Sequence, residues 1–189
     1  MKTRISNTLF ILLATLVTLS GCTNHYKYKI GVSQCVGGAW RDKANVEMLS
    51  AQHLYDNDVK VIIKNADNNN ERQCLQIDSL VDEGVDLLVV SPNDYHALNG
   101  SLQRAREKNI PIVFFDRTTA LKDYTAYIGG DNVEAGRKMA EYAVLLCRDS
   151  VKTDGRRPIV LEMTGPLAIS PAAQRHAGFS EVISKNPSI

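Results

Sequence analysis

The chain has 189 residues, enough for one α/β domain or somewhat more. Hydrophobic residues make up 44% and charged residues 23%, the balance of a soluble globular protein. A formal net charge of +1, with no basic cluster ahead of the first strand, speaks against a nucleic-acid partner.

Residues 1–22 read as an export signal and not as part of the fold. Lys2 and Arg4 form a positive start, and Leu9 to Leu19 is apolar apart from Thr15 and Thr18. That run is shorter than the roughly 20 apolar residues that span a bilayer, and it suits a leader. It ends in Leu19-Ser20-Gly21-Cys22, which resembles the lipobox of bacterial lipoproteins. The resemblance implies cleavage before Cys22 and a lipid on its thiol, hence a periplasmic protein anchored to the membrane. A leader with a chance cysteine, or an uncleaved anchor, is the other reading. Residues 23–28 follow as a short polar tether.

From Tyr28 the chain alternates strand and helix signals. Tyr28–Ser33 predicts a strand, and Trp40, Ala44, Met48, Ala51 and Leu54 mark the apolar side of a helix over 40–57. The β-branched run Val59–Ile63 predicts a second strand, and Leu75, Ile77, Leu80 and Val81 a second helix that stops at Gly84. A strand over 87–90, a helix over about 95–108 bracketed by Asn109 and Pro111, and a strand over 112–115 come next. Tyr124–Ile128 predicts a fifth strand. Asp131 or Asn132 caps a helix to about Cys147. A polar stretch over 149–157, a strand Ile159–Met163 and a last helix over about 172–184 complete the pattern.

Repeated β-α units with near-continuous apolar strands predict an α/β fold, a doubly wound parallel sheet covered on both faces. Right-handed crossovers bring every strand exit to one edge, where ligands of open α/β sheets bind. Ser33-Gln34, Asp67-Asn68, Asn93-Asp94 and Asp116-Arg117 therefore share a rim. Cys35 and Cys74 fall near that rim. One disulfide between them, or three unpaired thiols including Cys147, both fit. No cysteine or histidine spacing suits a metal, and no cofactor motif is present.

With these elements placed, the chain resembles the type I periplasmic sugar-binding proteins, ribose-binding-like, and is most similar to the sensor modules of hybrid two-component systems. GVSQC with Trp40 and Arg41 downstream, VDLLVVSPN, IPIVFFDR, YTAYIGGDN and RHAGF carry the resemblance, in family order from Lys29 to Phe179. It implies two similar α/β lobes that close on a sugar. Residues 29–129 form the complete first lobe. Gly129, Gly130 and Asp131 form the hinge, and 130–189 is a partial second lobe, so the chain reads as truncated. That second region is expected to be the less ordered one.

The resemblance also implies roles for single residues. Asp116 accepts sugar hydroxyls and Arg117 donates to them, the alternative being a turn cap beside a surface arginine. Trp40 stacks on the sugar ring, or else starts the core face of its helix. Asn68 binds a hydroxyl, or sits in a solvated turn with Asp67. Gln34 and Asn93 are placed at the rim by position alone. Two positions depart from the ribose pattern: Val36–Ala39 lacks the loop asparagine, and Ala173 stands where the family often has an arginine.

The function this implies is non-enzymatic binding of a monosaccharide-like ligand in the cell envelope, serving a sensor histidine kinase or a transport permease. A fragment without function is a further alternative. An enzyme is disfavoured, because no GxGxxG, Walker A or GxSxG motif is present and His25, His53, His96 and His176 are scattered.

Overall fold

Short β-branched runs separated by single helices leave no room for hairpins, so the strands pair in parallel through crossovers. β1 (Tyr28–Gln34), β2 (Val59–Asn65), β3 (Leu87–Ser91), β4 (Ile112–Phe115) and β5 (Ala126–Ile128) form one sheet in the order β2-β1-β3-β4-β5. Every neighbouring pair is parallel. Helices α1 (Ala39–Ala51), α2 (Asn70–Asp82) and α3 (Asn99–Glu107) follow the first three strands. Helices α4 (Asn132–Asp154) and α5 (Ser170–Ile183) pack against each other beyond β5. The structure, a computed structural model, describes residues 26–55, 58–154 and 158–187. The leader, Cys22 and residues 23–25 of the tether lie outside them.

The core sits on one face of the sheet. Ile77, Leu80 and Val81 of α2, with Leu102 and Ala105 of α3, pack on Leu88, Val90, Ile112 and Phe114. Fully burying a Leu, Ile or Phe contributes roughly 1.5–3 kcal/mol, so this face holds the sheet together. Cover on the two faces is uneven, contrary to the sequence expectation. Ile30, Val61, Val89, Val113 and Phe115 line an apolar groove of about 320 Å³ on the other side, where α1 and the 3-10 turn Gln52–Tyr55 that follows it provide the helical cover. Trp40 and Leu54, expected on the buried side of that helix, are 58% and 81% exposed.

Helix ends follow their caps. Asn69 Oδ1 accepts the Arg72 N–H at 2.8 Å and starts α2, and Gly84 with φ 68 ends it. α3 begins at Asn99, later than the apolar pattern suggests. Asp94 Oδ1 first accepts the N–H groups of His96 (2.7 Å) and Ala97 (2.9 Å), which fixes a separate capped turn. Asn109, at φ 58, closes α3 in the left-handed conformation. The helix after Asp131 runs to Asp154, through part of the stretch read as a polar linker.

The strand expected over 159–163 does not pair. Residues 158–166 have no regular secondary structure, with Ile159, Leu161 and Met163 at 93%, 86% and 92% exposure. Their alternation is that of a strand, but no neighbouring strand among the described residues offers them a ladder. Cys35, Cys74 and Cys147 are free thiols, so the Cys35–Cys74 disulfide is not formed. The Cys74 thiol donates to the Ala97 carbonyl at 3.4 Å.

Candidate functional site

Strand order reverses between β1 and β3, which both start from the centre of the sheet and send their connections opposite ways. Such switch points open a crevice at the carboxyl edge. Gln34 and Ser91 are register partners at this point, and Asp116 follows β4 next door. A charged side chain fills the crevice from α1: Arg41, only 6% exposed.

Arg41 organises the rim. One Nη1 donates to Gln34 Oε1 at 3.0 Å and to Ser91 Oγ at 2.8 Å, and Nη2 donates to Asp116 Oδ2 at 2.6 Å. Gln34 is fixed in turn, its Nε2 donating to Asn45 Oδ1 at 2.8 Å. These bonds use three of the five guanidinium N–H donors. Nε–H and the second Nη2–H have no protein partner among the described residues. Gln34, placed at the rim by the sequence, thus brackets Arg41 between β1 and α1.

Asp116 is held with φ 65, a left-handed conformation that Asp and Asn tolerate better than other non-glycine residues. Its N–H donates to the Ile128 carbonyl at 2.8 Å, and its own carbonyl accepts the Tyr127 hydroxyl at 3.2 Å. Burial, then the Asp116 charge, push the Tyr127 phenol above its ordinary pKa, so it stays a donor. The Asp116 side chain is 36% exposed, with Oδ2 on Arg41 and no hydrogen bond to Oδ1 among the described residues. Arg117, 16% exposed, lies 3.7 Å from the same carboxylate and reaches the Pro92 carbonyl at 3.5 Å. Two guanidinium groups thus share one carboxylate.

Trp40 stacks on Phe115 with ring centroids 5.5 Å apart and planes 7° from parallel. Arg41 lies 5.2 Å from the Trp40 ring centre. At 58% exposure Trp40 keeps apolar surface toward solvent beside the Arg41–Asp116 pair. That arrangement can cover the C–H face of a ring while its hydroxyls meet charged groups.

The remaining rim residues are less well placed. Asp67 and Asn68 are exposed at φ 50 and 63. Asp67 is engaged by Arg72 at 2.5 Å, while the Asn68 N–H donates to the Cys35 carbonyl at 2.8 Å. Asn93 Nδ2 donates to Asn70 Oδ1 at 2.7 Å. Sequence reasoning missed Gln73, fully buried beneath this loop. It accepts the Asn93 N–H at 2.9 Å and donates to Ser33 Oγ and the Ser91 carbonyl at 3.1 and 3.0 Å. A glutamine on the apolar side of α2 was its only available signal.

At the expected hinge, Asp131 caps α4 through the Glu134 N–H at 2.9 Å. Gly130 accepts the Tyr127 hydroxyl at 3.3 Å, and a side chain at Gly129 would run into that hydroxyl. Beyond it, Gly136 and Gly178 let α4 and α5 meet backbone to backbone: a Cβ at either would strike the carbonyl of Arg175 or Val133. Across the crevice, Ser170 at the start of α5 accepts the Thr118 N–H at 2.9 Å.

One alignment was invisible in sequence. His176 Nδ1 lies 2.8 Å from Glu162 Oε2, and Nε2 lies 3.5 Å from Ser180 Oγ. Ser180 is inside α5, four residues after His176. Helical N–H groups around it are tied up in the helix, so nothing there would hold an oxyanion. The alignment ties the irregular 158–166 segment to α5.

The chain matches the periplasmic binding protein domain family over residues 30–189. The fructose-binding periplasmic domain of a hybrid two-component system superposes with a TM-score of 0.74 at 40% identity, covering 86% of this chain and 51% of that one. The ribose import binding protein of Bacillus subtilis is 28% identical over 124 residues, 66% of this chain and 38% of its own length. The D-xylose-binding periplasmic protein of Escherichia coli is 27% identical over 143 residues, 75% of this chain and 42% of its own. The chain thus spans about half or less of the relatives it matches. These relatives are sugar-binding proteins by name, and the family implies an extracytoplasmic location. Among the described residues no helix is long and apolar enough to cross a membrane. The five-stranded parallel sheet, the switch-point crevice and the match over 30–189 together make this chain a member of the periplasmic binding protein domain family.

Proposed function

We propose that the chain supplies the sugar-gripping wall of a periplasmic binding module. The ligand is a monosaccharide-like molecule seated over the strand exits, bound without catalysis. One observation carries this reading: Arg41 is buried against Asp116, Gln34 and Ser91 at the switch point, with Trp40 beside it. A buried guanidinium with two unused donors and a carboxylate with an open oxygen are built to receive a hydroxylated ring. Asp116, Arg117 and Trp40 make the contacts; Gln34 braces; Asn68, Asp67 and Asn93 line the outer rim.

Sensing is favoured over transport. A domain of a hybrid two-component system at 40% identity over 86% of this chain supports that choice, and the downstream partner is then a histidine kinase. A permease partner is the second reading, supported by the ribose and xylose relatives. Lipidation at Cys22 would hold the module at the membrane. Residues 29–129 act as one lobe, and Gly129–Asp131 as the hinge to residues 130–189.

The test is ligand-observed NMR and calorimetry with fructose, ribose and xylose. Only part of the second wall is present among the described residues, so the chain alone should bind weakly, at about −4 kcal/mol or millimolar. Binding abolished by Arg41→Ala supports the site. Unchanged binding in that variant, or no binding of any sugar, refutes it. A serine-hydrolase reading of His176 predicts ester hydrolysis lost in Ser180→Ala; we expect no such activity.

A further inference from the structure

We propose that the cleft takes a neutral saccharide longer than one ring, whose second unit occupies a pocket between the turn after β3 and the start of α5. This rests on the sugar-binding reading above and extends it to the class of ligand. The pocket measures about 350 Å³, within the roughly 300–1,000 Å³ of small-molecule sites and enough for one added ring. Tyr95 and His96 form one wall, and Leu167, Ala173, Gln174 and Ala177 lie on the other.

The pocket adjoins the Asp116 crevice. Arg117 reaches the Pro92 carbonyl at 3.5 Å, Ala120 N–H donates to the Tyr95 carbonyl at 2.8 Å, and Thr118 N–H donates to Ser170 Oγ at 2.9 Å. The segment that follows Asp116 therefore forms the shared border. A ligand anchored on Asp116 and Arg41 meets this pocket as it extends past Arg117.

Its chemistry points to a ring and against a charge. Tyr95 and His96 lie edge to face, 4.9 Å between centres at 88°, and offer aromatic surface. Ala173 and Ala177, one helical turn apart, leave the space that longer side chains would fill. Gln174 has no side-chain hydrogen bond among the described residues, and its amide can meet a hydroxyl. Asp94 stands at the edge with its carboxyl held below its ordinary pKa by the His96 and Ala97 N–H groups. That fixed negative charge disfavours phosphorylated or acidic extensions.

The experiment compares each monosaccharide above with a disaccharide containing it, by ligand-observed NMR on the full chain. At least one disaccharide should bind tenfold or more tighter than its monosaccharide, and Ala177→Leu should erase that margin while monosaccharide binding persists. Leu167→Trp fills the same space from an exposed position and serves if the first variant misfolds. Monosaccharide binding with no disaccharide margin, or a margin that survives both fillers, overturns the inference alone. Absence of binding by every sugar overturns it together with the reading beneath it.

Discussion

Removing the Asp116 carboxylate should destabilise the protein even without ligand. The perturbation is Asp116→Ala. Arg41 Nη2 lies 2.6 Å from Oδ2, with side-chain exposures of 7% for Arg41 and 36% for Asp116. At an effective dielectric near 20, unit charges at that separation attract by about 6 kcal/mol. Water at the exposed carboxylate screens much of this, and desolvation of the pair offsets more. Breaking a fully buried pair costs about 3–5 kcal/mol, because the surviving charge is left stranded. Arg41 keeps its bonds to Gln34 and Ser91, so a loss of about 2–3 kcal/mol is expected, at or below the lower end of that range. Urea unfolding followed by circular dichroism should show a lower midpoint with an unchanged slope. Arg41→Ala with Asp116→Ala should lose less than the two single changes summed, by about 1 kcal/mol or more. A single-variant loss below about 0.5 kcal/mol, or strict additivity, would refute the stranded-charge account.

Three further outcomes are expected. Gln73→Leu leaves the Asn93 N–H, Ser33 Oγ and Ser91 carbonyl without their partner. It should cost about 2–3 kcal/mol and speed hydrogen exchange at Asn93, whereas an unchanged exchange rate there would count against the clamp. Gly178→Ala drives a methyl into the Val133 carbonyl; a loss of about 1–3 kcal/mol, read as lower protection over 132–148 and 170–183 with 28–115 unaffected, is expected, and full protection would mean the helices do not touch there. Asp94 titrates below its unfolded value of 3.8, chiefly through the His96 N–H and then the Ala97 N–H. A depressed folded pKa gives stability that is full above 3.8 and is lost as pH falls through the folded value. Asp94→Asn should therefore flatten the stability-versus-pH curve below about pH 4, and a variant curve parallel to wild type would remove Asp94 as the cause.

The strand exits were legible because short apolar runs ending in Asn, Asp or Arg state both where a strand stops and what stands there. Asp116 and Arg117 could be placed at the rim from that pattern alone. Arg41 could not be given a role, since an arginine in the first turn of a helix reads locally as solvent-facing. Only the parallel pairing that sets Gln34 beside Ser91 turns it inward. Gln34 could be placed at the rim but its bracing of Arg41 could not be read, because hydrogen-bond partners 7 and 11 residues away are set by the packing of α1. The 159–163 segment has the alternation of a strand, yet alternation specifies a face and not a neighbour.

The backbone at Asp67, Asn68 and Asp116 sits in the left-handed region, so the rim is restricted twice over. A mutational scan would score these positions as intolerant even in a selection that demanded only folding, because most side chains there cost backbone energy before any sugar is offered. Asparagine and glycine would be spared for conformational reasons alone. At Asp116 the scan would then separate the two demands: asparagine and glycine keep the turn but strand Arg41, so survivors under a folding selection and under a sugar-dependent selection should differ at that codon.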